Sequence, residues 1–397
     1  MSTVLKSDDI VIVSAQRTPM GGFQGAFSTL SATELGGIAI KDALAKASVD
    51  TAIVDEVMMG NVLSAGLGQA PARQAALNAE LTLGTMCTTI SKVCGSGLRA
   101  VMLAHDQLHA GNGDIIVAGG MESMTNAPYF IAKARGGFRL GHGEIKDHMF
   151  FDGLEDAYTG RAMGSFAQET ADQRGITREQ MDGFAIESLN RAKQAISNGS
   201  FNNEISPVSV KTRNGLIEIT TDEQPGNANV DKIPSLKPAF AKDGTITPAN
   251  SSSISDGAAA LVLMKASKAS ELGLKPIAKI AGHAGHAQHP SEFTLAPIGS
   301  INKLLAKLGW HKDDIDLWEI NEAFAMVTML AMQGLELDHS KVNINGGACA
   351  LGHPIGASGA RILVTLIHAL KNRGLSKGIA SLCIGGGEAT SLAVEII

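Results

Sequence analysis

The sequence predicts an α/β fold made of two similar halves, and two observations carry that prediction. Short aliphatic strands alternate with amphipathic helices, which is the order of a mostly parallel sheet covered by helices. The order of elements near the N-terminus then recurs near the C-terminus, as an internal duplication does.

The elements follow in order. Asp9 to Ser14 is a short aliphatic run before a Gly-rich loop at Met20 to Gly25, the pattern of a buried strand. Thr33 to Ala47 has helical spacing and begins beside the capping residues Ser31 and Thr33. Ile53 to Met59 reads as a strand, Leu98 to Ala110 as a helix, and Asp114 to Ala118 as a buried strand ending in Gly119-Gly120. The second half repeats this grammar: a helix at Ile301 to Leu308, a strand at Ile315 to Ile320, a helix at Gly359 to Leu370, and a strand at Gly378 to Cys383 ending in Gly385-Gly386-Gly387. Small fragments match too. Ala45-Lys46-Ala47 is answered by Ala306-Lys307-Leu308, and Gly60-Asn61 by Ile320-Asn321. The expected halves are 1–120 with 250–273, and 274–397. Between them, 121–249 has Gly-rich loops, one helix from Arg178 to Asn198 and polar turns. It reads as an inserted loop domain, the kind of segment on which ligand sites are often built.

A chain of 397 residues is too long for one ordinary core. With 44 % hydrophobic and 18 % charged residues it is globular rather than disordered. A net charge of −6 offers no electrostatic case for nucleic acid or an anionic membrane, although a helix N-terminus can still bind a small anion. No apolar run approaches the roughly 20 residues that span a bilayer. Met1 to Ile10 resembles neither a secretion signal nor a transit peptide, and Val394 to Ile397 is no peroxisomal address, so a cytoplasmic enzyme is expected. The four cysteines, Cys87, Cys94, Cys349 and Cys383, form no Cys-x-x-Cys pair that would suggest zinc or a redox dithiol. Taken by type alone, each is as readily a small buried hydrophobe as a reactive group.

Their neighbours separate them. Cys94 ends an extended stretch in Val93-Cys94-Gly95-Ser96-Gly97, where glycines permit a tight turn and a helix starts at once. That geometry would aim unpaired N–H groups and the positive helix end at the sulfur, and would lower its pKa towards a thiolate near neutral pH. A structural turn around a buried cysteine fits the segment equally well. His353 lies in the glycine-dense loop Gly352-His353-Pro354-Ile355-Gly356, placed for general-base or oxyanion work rather than for packing. Cys383 ends a buried strand, at the carboxyl edge where open α/β sheets bind ligands. Asn321-Glu322-Ala323-Phe324 stands at another strand end.

Taken together and in this order, the Cys-Gly-Ser-Gly, Asn-Glu-Ala-Phe, Gly-His-Pro-x-Gly and Cys-x-Gly segments resemble the thiolase family. Arg17-Thr18-Pro19, Gly119 to Met124 and Ser255-Asp256-Gly257-Ala258 extend the resemblance over nearly the whole chain. It implies the thiolase fold, with mixed five-stranded sheets in a layered αβαβα arrangement. It also implies Claisen condensation of two acetyl-CoA molecules to acetoacetyl-CoA and CoA, or the reverse thiolysis, by a ping-pong route through an acyl enzyme. By the same resemblance Cys94 holds the acyl group, His353 takes its proton, Asn321 holds a water, and Cys383 moves the α-proton. The backbone N–H groups of Cys94 and Gly385 match an oxyanion hole, a device that lowers a barrier by about 3 kcal/mol. Ser252, Met163, Ala323 and Phe324 match substrate contacts. Coenzyme A thioesters are substrates, and neither metal nor organic cofactor is implied.

Three departures qualify the resemblance. Ala162 stands where short-chain relatives carry histidine, which opens the alternative of a broader-chain 3-ketoacyl-CoA thiolase of fatty-acid β-oxidation. Gly226 follows Asp222-Glu223-Gln224-Pro225 where a basic residue often faces adenine, and Glu388-Ala389 replaces an apolar-plus-Gly pair. His283, His286 and His289 have metal-like spacing, but an edge-strand and loop explanation is favoured over a metal site. A non-catalytic carrier would lack one of Cys94, His353 and Cys383, and a ketosynthase would not carry the second cysteine. The loop Arg135 to Gly153 resembles a tetramer-forming loop, so a homotetramer is expected, with a dimer as the alternative.

Overall fold

The computed structural model describes residues 5–397; Met1 to Val4, part of the stretch read for targeting signals, lie outside it. The first half supplies β1 (Ile10–Arg17), β2 (Glu56–Gly60), β3 (Met86–Ile90), β4 (Ile115–Ser123) and, after the insertion, β5 (Ser255–Lys265). The second supplies β6 (Ala278–Ala287), β7 (Leu317–Ile320), β8 (Lys377–Ile384) and β9 (Glu388–Ile396). The strand order is β3-β2-β4-β5-β1 in one half and β7-β8-β9-β6 in the other. In each half the pairings nearest the β3 or β7 edge are parallel and the rest antiparallel.

Two features depart from a pair of separate five-stranded sheets. β1 and β6 pair over Val11↔Lys279 and Ile12↔Ala278, so that all nine strands form one hydrogen-bonded path. Each half thereby covers an edge that would otherwise be open. The fifth strand of the second half is reduced to a bridge, Trp318↔Val342. Asn343 turns the chain away with φ +47°. Its side-chain amide pairs with the edge of β7 instead, accepting from Ile320 N at 2.8 Å and donating to Ile320 O at 2.8 Å.

Helices α1 (Ala32–Ala47) and α2 (Pro71–Asn78) cover the outer face of the first half. The start of α1 is fixed by a capping box between Ser31 and Glu34. α3 (Ser96–His109) lies in the middle of the molecule, and so does α8 (Ser358–Arg373), whose Ser358 to Leu370 are all buried. Their apolar faces share one core with strands of both halves, including Leu98, Ile116, Leu261, Leu363, Leu382 and Val394. The insertion holds α4 (Met163–Arg174) and α5 (Arg178–Ser197); α6 (Ala296–Leu308) and α7 (Ala325–Leu335) pack in the second half. The start of Ile53 to Met59 is a 3₁₀ turn, Thr51–Ile53, because Asp50 accepts from Ala52 N and closes it; the strand begins at Glu56. Among the described residues no helix is long and apolar enough to cross a membrane.

Arg17 anchors the insertion to β1. Its guanidinium is wholly buried and donates to Glu204 at 2.6 Å and to both oxygens of Asp222 at 2.7 and 2.9 Å. Glu223 accepts from Gly22 N and Ala26 N. These contacts give the Arg-Thr-Pro and Asp-Glu-x-Pro segments a structural role.

Candidate active site

Cys94 sits in a turn between β3 and α3 that is held from both sides. Ser96 Oγ donates to Val93 O at 2.6 Å and accepts from Lys92 N at 2.8 Å. Val93 has φ +45°, a conformation that disfavours β-branched residues and persists only where surrounding contacts impose it. The two glycines serve close approach, not a left-handed turn. A Cβ on Gly95 would lie 2.4 Å from Ile384, and one on Gly97 2.9 Å from Ala360 N. The nucleophile segment of the first half therefore rests directly on β8 and α8 of the second.

The backbone N–H groups of Gly385 and of Cys94 itself point at the sulfur, whereas those of Gly95 and Ser96 at the helix start are spent on Lys92 O and Val93 O. They do not yield a resting thiolate. Burial pushes the thiol up to about 11 and outweighs both N–H groups, with Glu122 adding to the rise. The expected low pKa is thus overturned, because the partial burial of the sulfur disfavours its charged form by more than the two N–H groups favour it. Cys94 needs a base.

His353 can be that base. Its N–H donates to Ser253 O and Ser255 Oγ, each at 3.2 Å, which fixes the loop against the residues leading into β5. Its Nδ1 lies 2.5 Å from Ser358 Oγ, and that hydroxyl donates to Pro354 O at 2.9 Å. With its hydrogen committed, Ser358 accepts from Nδ1–H. The proton is thereby placed on Nδ1, and Nε2 is left as a free lone pair, buried and without a partner. Burial, with Arg361 second, pushes the imidazolium down to about 3, so the ring is neutral near pH 7.

Cys383 ends β8 and is buried; burial first, then the nearby Cys94, raises its thiol well above the ordinary value. Asn321 holds its backbone to Ser381 O at 3.0 Å, while both polar atoms of its buried amide lack partners. An amide left open in this way can take a water or a ligand.

One cavity of about 230 Å³ brings these groups together. Cys94, His353, Cys383 and Gly385 line it, and so do Ser252, Met163, Ala323 and Phe324. Asn321 is not in its wall. Ser252 Oγ donates to Ala323 O at 3.0 Å and fastens the segment leading into β5 to the residues after β7 that carry Phe324. Besides Ser251 and Ser253, the wall has an apolar part that was not foreseen: Met124, Phe150, Leu154, Phe240, Ile254, Phe293 and Ile355. Phe240 lies over Gly164, where a Cβ would come within 2.2 Å of its ring, and Phe293 and Phe240 both meet Phe324 edge-on. Only 4 % of the chain is aromatic, so a lone Phe in a polar loop was the available signal. Ala162 lines the cavity immediately before α4.

The histidine tract does not assemble as spaced. His283 and His286 lie in β6, which pairs along β9 rather than standing at an edge, and His289 caps the turn Pro290–Leu295. Instead His283 Nε2 meets Asp106 Oδ1 at 2.8 Å, with His105 Nδ1 on the same oxygen at 3.2 Å. Glu388, unexplained by sequence, pairs with Lys92 two residues before Cys94.

Known proteins resemble this chain in sequence and fold. The family model described as "Thiolase, N-terminal domain" matches residues 10–267, and "Thiolase, C-terminal domain" matches 274–396. The chain is 48 % identical to a probable acetyl-CoA acetyltransferase of Dictyostelium discoideum, over 99 % of this chain and 95 % of that protein. It is 49 % identical to an acetyl-CoA acetyltransferase of Cupriavidus necator, over 98 % and 99 % of the two chains. Among solved structures, the Acat5 thiolase of Ascaris suum in complex with coenzyme A superimposes with a TM-score of 0.93 at 42 % identity, covering 98 % of this chain and 100 % of the other. The acetyl-CoA acetyltransferase of Bacillus anthracis gives 0.95 at 41 %, covering 98 % and 99 %. Matched along nearly its whole length by both family models and by these relatives, the chain belongs to the thiolase family.

Proposed function

We propose that the protein is an acyl-CoA:acetyl-CoA C-acyltransferase that joins two acetyl-CoA molecules to acetoacetyl-CoA and CoA, or runs the reverse thiolysis. The observation that carries this reading is the free Nε2 of a neutral His353 sharing one cavity with Cys94 and Cys383. His353 Nε2 takes the proton of the Cys94 thiol as sulfur attacks the thioester carbonyl, and returns it to the departing CoA sulfur. The N–H groups of Cys94 and Gly385 stabilise negative oxygen as it forms. A second acetyl-CoA enters, Cys383 passes its own proton to His353 Nε2, and the thiolate so formed removes an α-proton. The resulting carbanion attacks acetyl-Cys94, the C–S bond breaks, and the released Cys94 thiolate takes the proton back from His353. Asn321 holds a water that shares in stabilising the enolate oxygen. Acyl transfer of this kind needs no metal or organic cofactor, and a chelator is expected to leave the rate unchanged.

The acetyl preference rests on the relatives, which are named acetyl-CoA acetyltransferases. A broader-chain 3-ketoacyl-CoA thiolase is the second reading, favoured by Ala162 and by the apolar wall of Met124, Leu154 and Ile355. Thiolysis rates across a series of 3-oxoacyl-CoA chain lengths decide between them. The acetyl reading expects the four-carbon substrate to be fastest, and equal or faster rates on long chains would overturn it.

A homotetramer acting in the cytoplasm is part of the same reading, with a dimer as the smaller alternative. Its support is the hairpin of Tyr129–Ile131 and Ile145–Asp147, which carries Tyr129, Ile131, Phe138, Leu140 and Ile145 exposed to solvent. Apolar groups gathered on one exposed projection are the mark of a surface that another copy covers. Light scattering of the purified protein tests it.

A further inference from the structure

The loop after β2 in the first half, which packs beside Cys94, and the loop that carries the base in the second half meet on one buried carboxylate. Glu122 follows Gly119-Gly120-Met121 in β4 and is wholly buried. Its Oε1 accepts from Asn61 Nδ2 at 2.8 Å and Leu63 N at 3.1 Å. Its Oε2 accepts from Val62 N at 3.0 Å and Gly356 N at 2.9 Å. Asn61 to Leu63 belong to the first half, directly after β2, and Leu63 packs in the cluster that includes Cys94 and Ile355. Gly356 belongs to the second half and stands three residues beyond His353.

Glycines bring the two halves into direct backbone contact at this junction. A Cβ on Gly120 would lie 2.1 Å from Gly356 O, one on Gly60 2.8 Å from the same oxygen, and one on Gly356 2.6 Å from Glu122 Oε2. The two backbones touch, and the carboxylate is the hydrogen-bonding centre of the contact. Burial lifts the carboxyl to about 7. All four partners donate, so the ionised form is the one the site accommodates. The other end of the histidine loop is held differently: Glu322 accepts from Cys349 N at 3.1 Å, Ser188 Oγ at 2.7 Å and Asn343 Nδ2 at 2.8 Å. Those partners lie in the insertion and the second half, so Glu322 does not set the spacing between the two halves.

We propose that Glu122 is a positioning residue for acyl transfer, acting through His353 and Cys94. It locks Asn61 to Leu63 of one half onto Gly356 of the other, and so fixes the approach of the base to the nucleophile. This rests on the reading of Cys94 as the acyl acceptor.

The test is Glu122→Gln. The amide keeps the shape, but in either orientation its NH₂ faces two N–H donors. The readout is the rate and half-saturating concentration of Cys94 acetylation by acetyl-CoA, followed by rapid quench and mass spectrometry. The expected result is acylation slower by about 30- to 100-fold, with half-saturation changed by less than about threefold. Glu56→Gln serves as the comparison. Glu56 is a buried carboxylate at the far end of β2 that accepts from Thr88 and Gln107, and its loss should lower thermal stability while leaving acylation unchanged. If Glu122→Gln behaves in the same way, losing stability but acylating at the wild-type rate, the proposal is overturned. If Glu122→Gln does not fold, Asn61→Ala decides: it removes one of the four donors, and acylation about five- to tenfold slower supports the proposal, while a wild-type rate overturns it. Wild-type protein that takes no acetyl group at Cys94 would overturn the functional reading, and this proposal with it.

Discussion

Replacing Ser358 with alanine tests how the base is prepared. Ser358 Oγ sits 2.5 Å from His353 Nδ1 and spends its own hydrogen on Pro354 O. Without it, either nitrogen of the ring could carry the proton, which by itself costs only about a factor of two in the useful tautomer. The larger loss comes later. When Nε2 accepts the Cys94 proton the ring becomes cationic, and Nδ1–H is then a charged donor whose bond to a buried oxygen is worth about 1.5–3 kcal/mol. At about 1.4 kcal/mol per tenfold, kcat/KM should fall by about 10- to 150-fold. Most of the fall should lie in kcat, because Ser358 is not part of the cavity wall. The assay is steady-state thiolysis of acetoacetyl-CoA, with circular dichroism to show an intact fold. A Ser358→Ala protein within twofold of wild type, or one whose loss lies wholly in KM, would refute this account of the histidine.

Other perturbations have defined outcomes. His353 is held near 3 in the fold against 6.5 for the free side chain, so on acidification the unfolded chain takes up a proton that the folded chain refuses. Stability is lost as pH falls below 6.5, and His353→Gln should gain about 2 kcal/mol on wild type between pH 7 and pH 5 in urea unfolding; a pH-independent difference would count against the buried neutral ring. Arg17→Leu leaves Glu204 and Asp222 buried without their cation and should cost about 3–5 kcal/mol in the same measurement, whereas a cost under about 1 kcal/mol would show the cluster to be dispensable. Glu388→Gln should change stability by less than about 1 kcal/mol, since both members of its pair with Lys92 keep water contact, and a larger loss would mean that the pair holds the Cys94 turn.

Much of the site was legible because it is written in short strings at strand ends. Glycines after Cys94 and Cys383 and on both sides of His353 mark tight turns and close backbone approaches, and the structure puts those three side chains around one cavity. What failed to show in sequence was burial. A helix start and two glycines suggest an acidic thiol, yet the same close packing partly shields Cys94 from water and raises it. Helix α4 went unread because several of its buried positions are small or polar (Gly164, Gln168 and Thr170), so no apolar period marks it. The lost fifth strand depends on Asn343 using its side chain as a strand would use its backbone. The aromatic wall comes from loops distant in sequence, and only the fold brings Phe240 and Phe293 to Phe324.

The central claim is that Cys94 carries the acyl group and Cys383 moves the proton. Incubation with acetyl-CoA alone, followed by acid quench and peptide mass spectrometry of wild type, Cys94→Ala and Cys383→Ala, tests it most directly. The account expects acetyl on Cys94 in the wild type, none in Cys94→Ala, and an acetyl-Cys94 that accumulates without condensing in Cys383→Ala. An acetyl group on Cys87 or Cys349 instead, or one that survives Cys94→Ala undiminished, would contradict it.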